Sequence, residues 1–487
     1  MEKCKKISKE LFKMAALVKK PKMDMTQGVI IKQIILFSLP IIATTFMQLF
    51  FNTADTIMVG WFGGSDEAER NAAIAAVGSC SALINLIISI FSGLSVGAGV
   101  SVSHEIGAKK YDNIEKIIHT AVTLAAICGT VVSCIGIIFS EQFLALMGTN
   151  EEVLPKAAAY MRAYFAGTPA LLVYNYCAAM LRAEGDTTRP FLFITTGGAV
   201  NVLINFVLVC IIPLGALGVG IATAFSQWVS CAMIIIYMLK TNGCCKLYLR
   251  KLRIHGQQLK KIIAIGLPAG IQTSMFSIAN VFIQSSVNSF NSTAIMTGNS
   301  IGSNVGQYII QTGNAISQST STIVGQNIGA KNPKRIKQGI LTTAILAFGV
   351  DAVLGIAVNL FSGSLLSLFA PGSGPEITQA IAVGQIRLLV VGSCYCISAL
   401  DAVSSHTLQS FGKSTTAMAV ALIGACGFRL LWIFTVFQVF HEIWVLYLAF
   451  PISWILLSTT QFILCAVEYK KFKKKCELEI EENEVSV

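Results

Sequence analysis

Asp55 lies inside a long apolar run of this 487-residue chain, and other polar side chains accompany it. Asn52 precedes it by three residues and Gln48 by seven, so the three share one face of a helix. Asn201 and Asn205, four residues apart, share a face of a later helix. Burial disfavours the charged form of a carboxylate, so such a group can exchange a proton near neutral pH or hold Na⁺ when ionised. We therefore predict an ion- or proton-coupling site at Asp55, Asn52, Asn201 and Asn205; the alternative is a hydrogen-bond network that only joins helices.

Three further charged residues lie well inside apolar runs, away from their first turns, where each is by default a functional hypothesis. They are Asp351, Asp401 and Arg429. Asp401 either binds an ion or a cationic substrate, or forms a salt bridge with Arg429. Asp351 has no supporting motif, and we expect it to form a polar pair with a neighbouring helix.

Amide side chains form polar stripes in the second half of the chain. Asn280, Gln284 and Asn288 recur every four residues, and Gln307 and Gln311 are spaced alike in the next apolar run. A stripe of several turns faces either a water-filled cavity or another helix. The candidates to line a substrate cavity are Gln48, Asn280, Gln284, Gln307 and Gln311.

The elements that position these residues follow from composition. The chain is 54% hydrophobic and 13% charged, with a mean hydropathy of +0.68, whereas a soluble domain has about 25% charged residues. A helix that spans a bilayer needs about 20 apolar residues, and barrel strands would alternate apolar and polar residues instead. We predict an all-α polytopic membrane protein with twelve transmembrane helices. The apolar runs cover residues 31–61, 72–103, 117–140, 157–181, 190–212, 215–239, 261–289, 293–325, 338–362, 384–409, 415–440 and 443–467.

The chain repeats itself. SLP at 38–40 recurs as GLP at 266–268, and EIGAK at 105–109 recurs as NIGAK at 327–331. LRAEGD at 181–186 is matched by LQSFGK at 408–413, so the three pairs keep their order and nearly the same offset. Each copy contains six predicted helices, so both copies enter the membrane in the same direction. This predicts two pseudo-symmetric six-helix lobes, an arrangement typical of transporters.

The net charge of +11 is unevenly distributed. With both termini in the cytoplasm, 31 of the 36 Lys and Arg residues fall in cytoplasmic segments, as the positive-inside rule requires. The basic character therefore needs no nucleic-acid partner, and we expect a multi-pass protein of the plasma (inner) membrane. The predicted divisions are a basic tail (1–30), an N-terminal lobe (31–240), an inter-lobe loop that could act as a hinge (241–260), a C-terminal lobe (261–468) and a charged, disordered tail (469–487).

Two motifs for enzyme chemistry are missing from the sequence. It contains no GxxxxGK[ST] phosphate loop and no HExxH. The fourteen cysteines have neither zinc-site nor disulfide spacing. We expect no catalytic residues, no ATP use, no cofactor and no metal beyond a possible Na⁺, so an ion gradient must supply the energy. The expected partners are small organic substrates and the lipid bilayer, and the expected state is a monomer.

Five motifs, in order, resemble the multidrug and toxic compound extrusion (MATE) transporters. They are SLP at 38–40, NTADTIMVG at 52–60, IGAK at 106–109, LRAEGDT at 181–187 and LGVGIAT at 217–223. The resemblance runs from about residue 30 to 467. It implies a twelve-helix antiporter that exports organic, often cationic, compounds in exchange for Na⁺ or H⁺.

The resemblance also carries roles to single residues. Asp55 matches the first-helix Asp of the family, and Asn201 matches an Asn of the fifth helix. Asn205 stands where one branch has an Asp, and Asp401 resembles the tenth-helix Asp of another branch whose seventh-helix Glu is missing here. The coupling ion therefore stays open. The alternative function is a flippase of lipid-linked saccharides from the same superfamily, which would have an Arg-rich cavity, whereas Arg429 is the only clear intramembrane Arg in this prediction.

Overall fold

The computed structural model describes residues 23–63, 67–370 and 374–485, and within these ranges all regular secondary structure is helical. Most of the predicted basic tail, 1–30, lies outside the described residues. Twelve long helices carry the fold. They are α1 (Ile30–Phe62), α2 (Glu67–Gly107), α3 (Tyr111–Ile138), α4 (Leu154–Ala183), α5 (Thr188–Asn205), α6 (Gly215–Lys240), α7 (Gly256–Asn288), α8 (Thr293–Gly329), α9 (Pro333–Leu360), α10 (Pro375–Val390 and Tyr395–Ser410), α11 (Ser414–Ala421 and Phe428–Phe434) and α12 (Ile443–Val485).

Short segments complete the described part of the chain. A π-helical turn extends α5, and another joins the halves of α11, while a 3₁₀ turn joins the halves of α10. Such turns often mark functional positions inside helices. The remaining short helices are Ser140–Leu146, Leu249–Lys251, Ser362–Phe369 and Val436–Phe440.

Ten of the described helices are long and apolar enough to cross a membrane. The other two, α4 and α8, contain 30 and 37 residues and are long enough to span it. Their mean hydropathy is lower because α8 carries a row of amide and hydroxyl side chains and α4 contains basic residues. The prediction of an all-α polytopic protein with twelve transmembrane helices is confirmed.

The internal repeat is visible in the backbone at the ends of helices. Lys109 and Lys331, which end the two IGAK motifs, adopt left-handed φ angles of 56° and 54°. Gly185 and Gly412, in the other repeated motif, have φ angles of 88° and 73°. In all four places the next residue donates its N–H to the carbonyl five residues earlier, at 2.8 to 3.0 Å. The repeated sequence motifs are thus repeated helix caps of the Schellman type.

The chain forms two compact units. The first comprises Leu39–Ala82, Ile118–Arg253 and the described residues before Val29. The second comprises Val29–Ser38, Leu83–Ile117 and the chain from Ile254 onward. The C-terminal part of α2, from Leu83 onward, therefore packs with the second unit, although its sequence belongs to the first copy of the repeat.

Glycines allow close packing of α4 and α6 in the first unit. A Cβ on Gly167 would lie 2.7 Å from the Cα of Ala224, and one on Gly220 would lie 2.8 Å from the carbonyl oxygen of Tyr160. The connection after α6 also belongs to this unit. Cys245 is fully buried there, so the predicted inter-lobe loop is packed against the first unit over this part of its length.

In the second unit α2 and α7 cross with their backbones in contact. A Cβ added to Gly93 would lie 2.2 Å from the Cα of Gly270, and one added to Gly97 would lie 2.2 Å from the carbonyl oxygen of Ile262. Small residues at such crossings are typical of helix packing in lipid, where close approach replaces the hydrophobic driving force. Gly93 and Gly97 therefore allow the backbones of α2 and α7 to approach closely.

The two IGAK ends touch one another within the second unit. A Cβ on Gly107 would lie 1.8 Å from the carbonyl oxygen of Gln326, and one on Gly329 would lie 2.0 Å from that of His104. Each copy offers the same pair of positions to the other, which is the geometry of a two-fold contact. The ring of His104 also lies 2.8 Å from the carbonyl oxygen of Ser410. The ends of α2, α8 and α10 that are predicted to be cytoplasmic are therefore closed against one another.

The predicted disorder of the C-terminal tail is wrong for the residues that the structure describes. α12 continues as a helix to Val485. Glu468 pairs with Lys471 at 2.8 Å, Lys473 pairs with Glu477 at 3.5 Å, and Glu479 pairs with Lys331. Pairs spaced by three or four residues support a helix, so the charge pattern of the tail is helical.

Candidate ion and substrate sites

Helices α1, α5 and α6 of the first unit bring a carboxylate and two amides together. Asn205 Nδ2 donates to Asp55 Oδ1 at 2.5 Å. The amide of Asn201 forms two hydrogen bonds when its nitrogen faces Asp55. Its Nδ2 then donates to Asp55 Oδ1 at 2.8 Å, and its Oδ1 accepts from the N–H of Thr223 at 3.3 Å. Gly198, one turn before, leaves the space in which the Phe51 ring lies against α5. The carboxylate is thereby fixed against α5.

One buried oxygen of this cluster has no hydrogen-bond donor among the described residues. Asn205 is fully buried, and its Oδ1 has no hydrogen-bond partner among the described residues. A buried carbonyl oxygen without a donor is costly, and it lies on the side chain that contacts the carboxylate. Oxygen ligands of this kind are what Na⁺ takes in membrane carriers, and a proton on Asp55 would offer the alternative donor.

The structure brings together three of the four residues predicted for coupling. Asp55, Asn201 and Asn205 are in contact, whereas the Asn52 side chain is exposed and makes no hydrogen bond within the described part of the chain. Thr223 on α6 was missed. It lies in the LGVGIAT motif, but nothing in the sequence indicates which helix faces Asn201.

A cavity of about 420 Å³ lies within the second unit, between α7, α8, α10, α11 and α12. Five residues singled out from the sequence line it: Asn280, Gln284, Gln307, Asp401 and Arg429. Two cavity candidates do not line it: Gln311 accepts from Asn314 at 3.4 Å, and Gln48 is exposed on α1 in the first unit. The volume is within the range of sites for drug-sized molecules.

Arg387 forms part of the cavity wall, whereas the sequence had indicated Arg429 as the only clear intramembrane arginine. α10 begins at Pro375, so Arg387 lies three turns inside it and is only 7% exposed. Its Nη1 donates to Asn299 Oδ1 at 2.8 Å and its Nη2 to Ser303 Oγ at 3.4 Å. Gly302 provides room for the side chain, because a Cβ there would lie 3.1 Å from Arg387 Cδ.

Arg429 enters the same cavity from α11 and is 2% exposed. Its Nε donates to Ser453 Oγ at 3.0 Å and its Nη1 to Asn280 Oδ1 at 3.3 Å. Asp401 also lines the cavity and is 6% exposed. No ion pair within 4 Å joins Asp401 to Arg429, and Asp401 Oδ1 has no hydrogen-bond partner in the described chain. The salt bridge considered as an alternative is therefore absent, and each group faces the cavity with its charge uncompensated by direct contact.

Asp351 on α9 lies against a glycine of α8. A Cβ on Gly313 would lie 2.1 Å from its Oδ2, and the side chain is 1% exposed. Neither carboxyl oxygen has a hydrogen-bond partner within the described residues. Among the described residues no polar side chain of a neighbouring helix pairs with Asp351, because the facing position on α8 is a glycine.

The family model described as MatE matches residues 40–207 and again residues 268–435, which together cover more than half of the chain. The two matches are offset by the same interval as the repeated Leu-Pro motifs.

The chain belongs to the MATE family.

Known proteins agree with this assignment. "Probable multidrug resistance protein YoeA" of Bacillus subtilis is 25% identical over 80% of this chain and 84% of its own length. The "FAD transporter" of Shewanella oneidensis is 24% identical over 79% of this chain and 83% of its own length. A solved structure described as an outward-facing conformation of a multidrug resistance MATE family transporter of the MOP superfamily superposes with a TM-score of 0.84 at 19% identity, covering 93% of this chain and all of that one. This MATE protein is a multi-pass membrane transporter and not an enzyme, as predicted.

Proposed function

We propose that this MATE protein exports organic compounds across the plasma membrane by exchanging them for Na⁺ or H⁺, with both termini in the cytoplasm. The family and the relatives named for multidrug resistance support efflux, and the relative named FAD transporter supports organic solutes as cargo. The missing phosphate loop supports an ion gradient as the energy source. The two lobes would expose the sites alternately to each side.

One observation carries the proposal of a coupling site. The Asp55 carboxylate is held by Asn205 and Asn201, and the buried Oδ1 of Asn205 has no donor among the described residues. A cation bound between these oxygens, or a proton on Asp55, would remove the cost of that arrangement. Binding and release would change the charge on the contact between α1 and α5. A ligand that prefers one arrangement of the helices shifts the equilibrium between the two.

The test uses purified protein in proteoliposomes loaded with a fluorescent dye, with a Na⁺ gradient and a proton gradient imposed separately. We expect at least one gradient to drive dye movement, and Asp55→Asn to slow it about tenfold or more. Glu141→Gln is the matched control, because Glu141 is an exposed acid that pairs with Arg162 at 2.9 Å. Transport that continues unchanged in Asp55→Asn would contradict coupling at this site, and transport that persists with both gradients collapsed would contradict antiport.

The flippase alternative has one observation in its favour. Two buried arginines line the cavity, whereas the sequence had indicated one intramembrane arginine. Guanidinium groups suit the pyrophosphate of a lipid-linked saccharide. Reconstituted protein that moves a fluorescent lipid-linked saccharide between leaflets, but moves no water-soluble dye under either gradient, would establish the flippase.

A further inference from the structure

The cavity of the second unit contains more positive than negative charge. Arg387 and Arg429 face it, and Asp401 is the carboxylate among its lining residues. All three side chains are at most 7% exposed. A buried charge without a partner is destabilising. One of the two guanidinium groups exceeds the single carboxylate, and an anion bound in the cavity would balance it.

Neutral oxygens hold both guanidinium groups in place. Arg387 donates to an amide and a hydroxyl of α8, and Arg429 donates to an amide of α7 and a hydroxyl of α12. No carboxylate lies within 4 Å of either group in the part of the chain that is described. The Nε of Arg387 is buried and makes no hydrogen bond there. These arginines are therefore oriented without a carboxylate in direct contact, and donor capacity is left over.

An aromatic wall joins the two arginines. The guanidinium of Arg429 lies 4.5 Å from the ring centroid of Phe450, and that of Arg387 lies 5.4 Å from the same ring. Arg387 also lies 5.3 Å from the ring of Tyr447. Both cations thus flank one phenyl ring, and Phe276 and Trp454 extend the apolar lining of the cavity. A flat organic body fits such a wall, with its charged group toward the arginines.

The second copy of the internal repeat carries a positive charge at a contact where the first copy has none. The two family matches, 40–207 and 268–435, begin and end 228 residues apart, and the repeated motif at 181–186 lies 227 residues before its match. Arg429 therefore lies at or next to the position that corresponds to Asn201, and Asn280 at or next to that of Asn52. The contact between the first and fifth helices of a copy thus carries the acid Asp55 with Asn201 in the first copy, and Arg429 with Asn280 in the second.

We infer that the cavity of the second unit binds the carboxylate or phosphate group of an organic anion between Arg387 and Arg429, and that such anions are the substrate class of this transporter. The inference rests on the proposed efflux function and names the cargo of that function. A planar guanidinium presents paired N–H donors that match the two oxygens of either group. A cationic substrate placed beside Asp401 would share the cavity with two buried guanidinium groups, which disfavours it.

The test compares two xanthene dyes of similar ring system and opposite charge, the anion fluorescein and the cation rhodamine 6G. Binding is measured by fluorescence anisotropy on the full-length protein in phosphatidylcholine nanodiscs, without any gradient. We expect fluorescein to bind more tightly than rhodamine 6G. Arg387→Gln and Arg429→Gln should each weaken fluorescein binding about tenfold or more, because each removes one charged donor. Asp401→Asn should strengthen it, because it removes the negative charge of the cavity. Arg162→Gln, at an exposed arginine of α4, is the matched control.

Further variants keep the inference falsifiable if a glutamine variant fails to fold. Arg387→Lys and Arg429→Lys retain the charge and should keep fluorescein binding while weakening it less than glutamine does. Nanodiscs containing phosphatidylglycerol separate the sources of the anion. Competition with fluorescein there assigns the site to a lipid phosphate, and the same affinity in both discs assigns it to a water-soluble anion.

The two proposals fail in different ways. Tighter binding of rhodamine 6G, weakened by Asp401→Asn and unchanged by the arginine substitutions, would overturn the anion site. Gradient-driven export of rhodamine 6G could still succeed in that case. Fluorescein binding that needs both arginines, in a protein that no gradient drives, would leave the anion site intact and contradict antiport.

Discussion

The crossing of α2 and α7 allows a quantitative prediction. A Cβ on Gly270 would lie 2.2 Å from the carbonyl oxygen of Ile90, and one on Gly93 would lie 2.2 Å from the backbone of Gly270. Ordinary contacts of a Cβ lie near 3.4 Å or beyond, so Gly270→Ala must separate the two backbones by roughly 1 Å. Overpacking costs typically about 1–3 kcal/mol. A backbone cannot rotate away as a side chain can, so the upper part of this range applies.

A smaller effect opposes this cost. Alanine is favoured over glycine inside a helix by about 1 kcal/mol. The net effect of Gly270→Ala is then a destabilisation of about 1–2 kcal/mol, and the melting midpoint should fall by a few degrees. The measurement is thermal unfolding in detergent, followed by intrinsic tryptophan fluorescence.

Gly349→Ala on α9 is the matched control. Nothing lies within 4 Å of a Cβ at Gly349, so only the helix propensity changes and the midpoint should hold or rise. A midpoint of Gly270→Ala at or above that of the wild type, with the control behaving as expected, would refute the close crossing of α2 and α7.

Two further predictions concern buried and strained positions. Asp351→Asn should leave dye transport unchanged and should hold or raise the melting midpoint. The reason is that the carboxyl lies against Gly313 with no hydrogen-bond partner among the described residues. A tenfold loss of transport by folded protein would instead show that Asp351 is functional. Lys109→Gly should stabilise the protein by up to about 1 kcal/mol, because glycine takes the left-handed cap conformation without a Cβ penalty. Lys331→Gly should gain less, since it also removes the ion pair with Glu479, and an equal or larger gain there would contradict this account of the cap.

Features that depend on neighbours in the sequence were predictable. The helix count follows from the length of the apolar runs, and the repeated caps follow from motifs of five or six residues. The grouping of Asp55 with Asn201 and Asn205 was also anticipated, because the two amides share one helix face and suit a carboxylate on another helix, and the structure brings the three into contact.

Features that depend on which helix faces which were not predictable from one sequence. Asn52 and Asp55 are three residues apart, yet the structure turns one to the surface and the other toward α5. Asp401 and Arg429 line one cavity without forming an ion pair, and their positions in the sequence do not reveal this arrangement. Arg387 was missed because it stands only three residues after the predicted start of its apolar run at residue 384. Pro375 is a typical first residue of a helix, and a start there would have placed Arg387 three turns inside the helix.

The opposite charges of the two copies have an energetic consequence. If a cation enters by way of Asp55 while an organic anion leaves by way of Arg387 and Arg429, both movements carry positive charge inward. Each elementary charge is worth about 2.3 kcal/mol per 100 mV of membrane potential, so a cycle with one monovalent cation and one monoanion gains about 4.6 kcal/mol per 100 mV. A tenfold concentration ratio corresponds to about 1.4 kcal/mol, so the potential alone could sustain a ratio of roughly a thousand. Exchange of a cation for a cationic substrate would move no net charge and would gain nothing from the potential. If both proposals hold, the sign of the charge in the second copy sets the force that drives export, as well as the cargo.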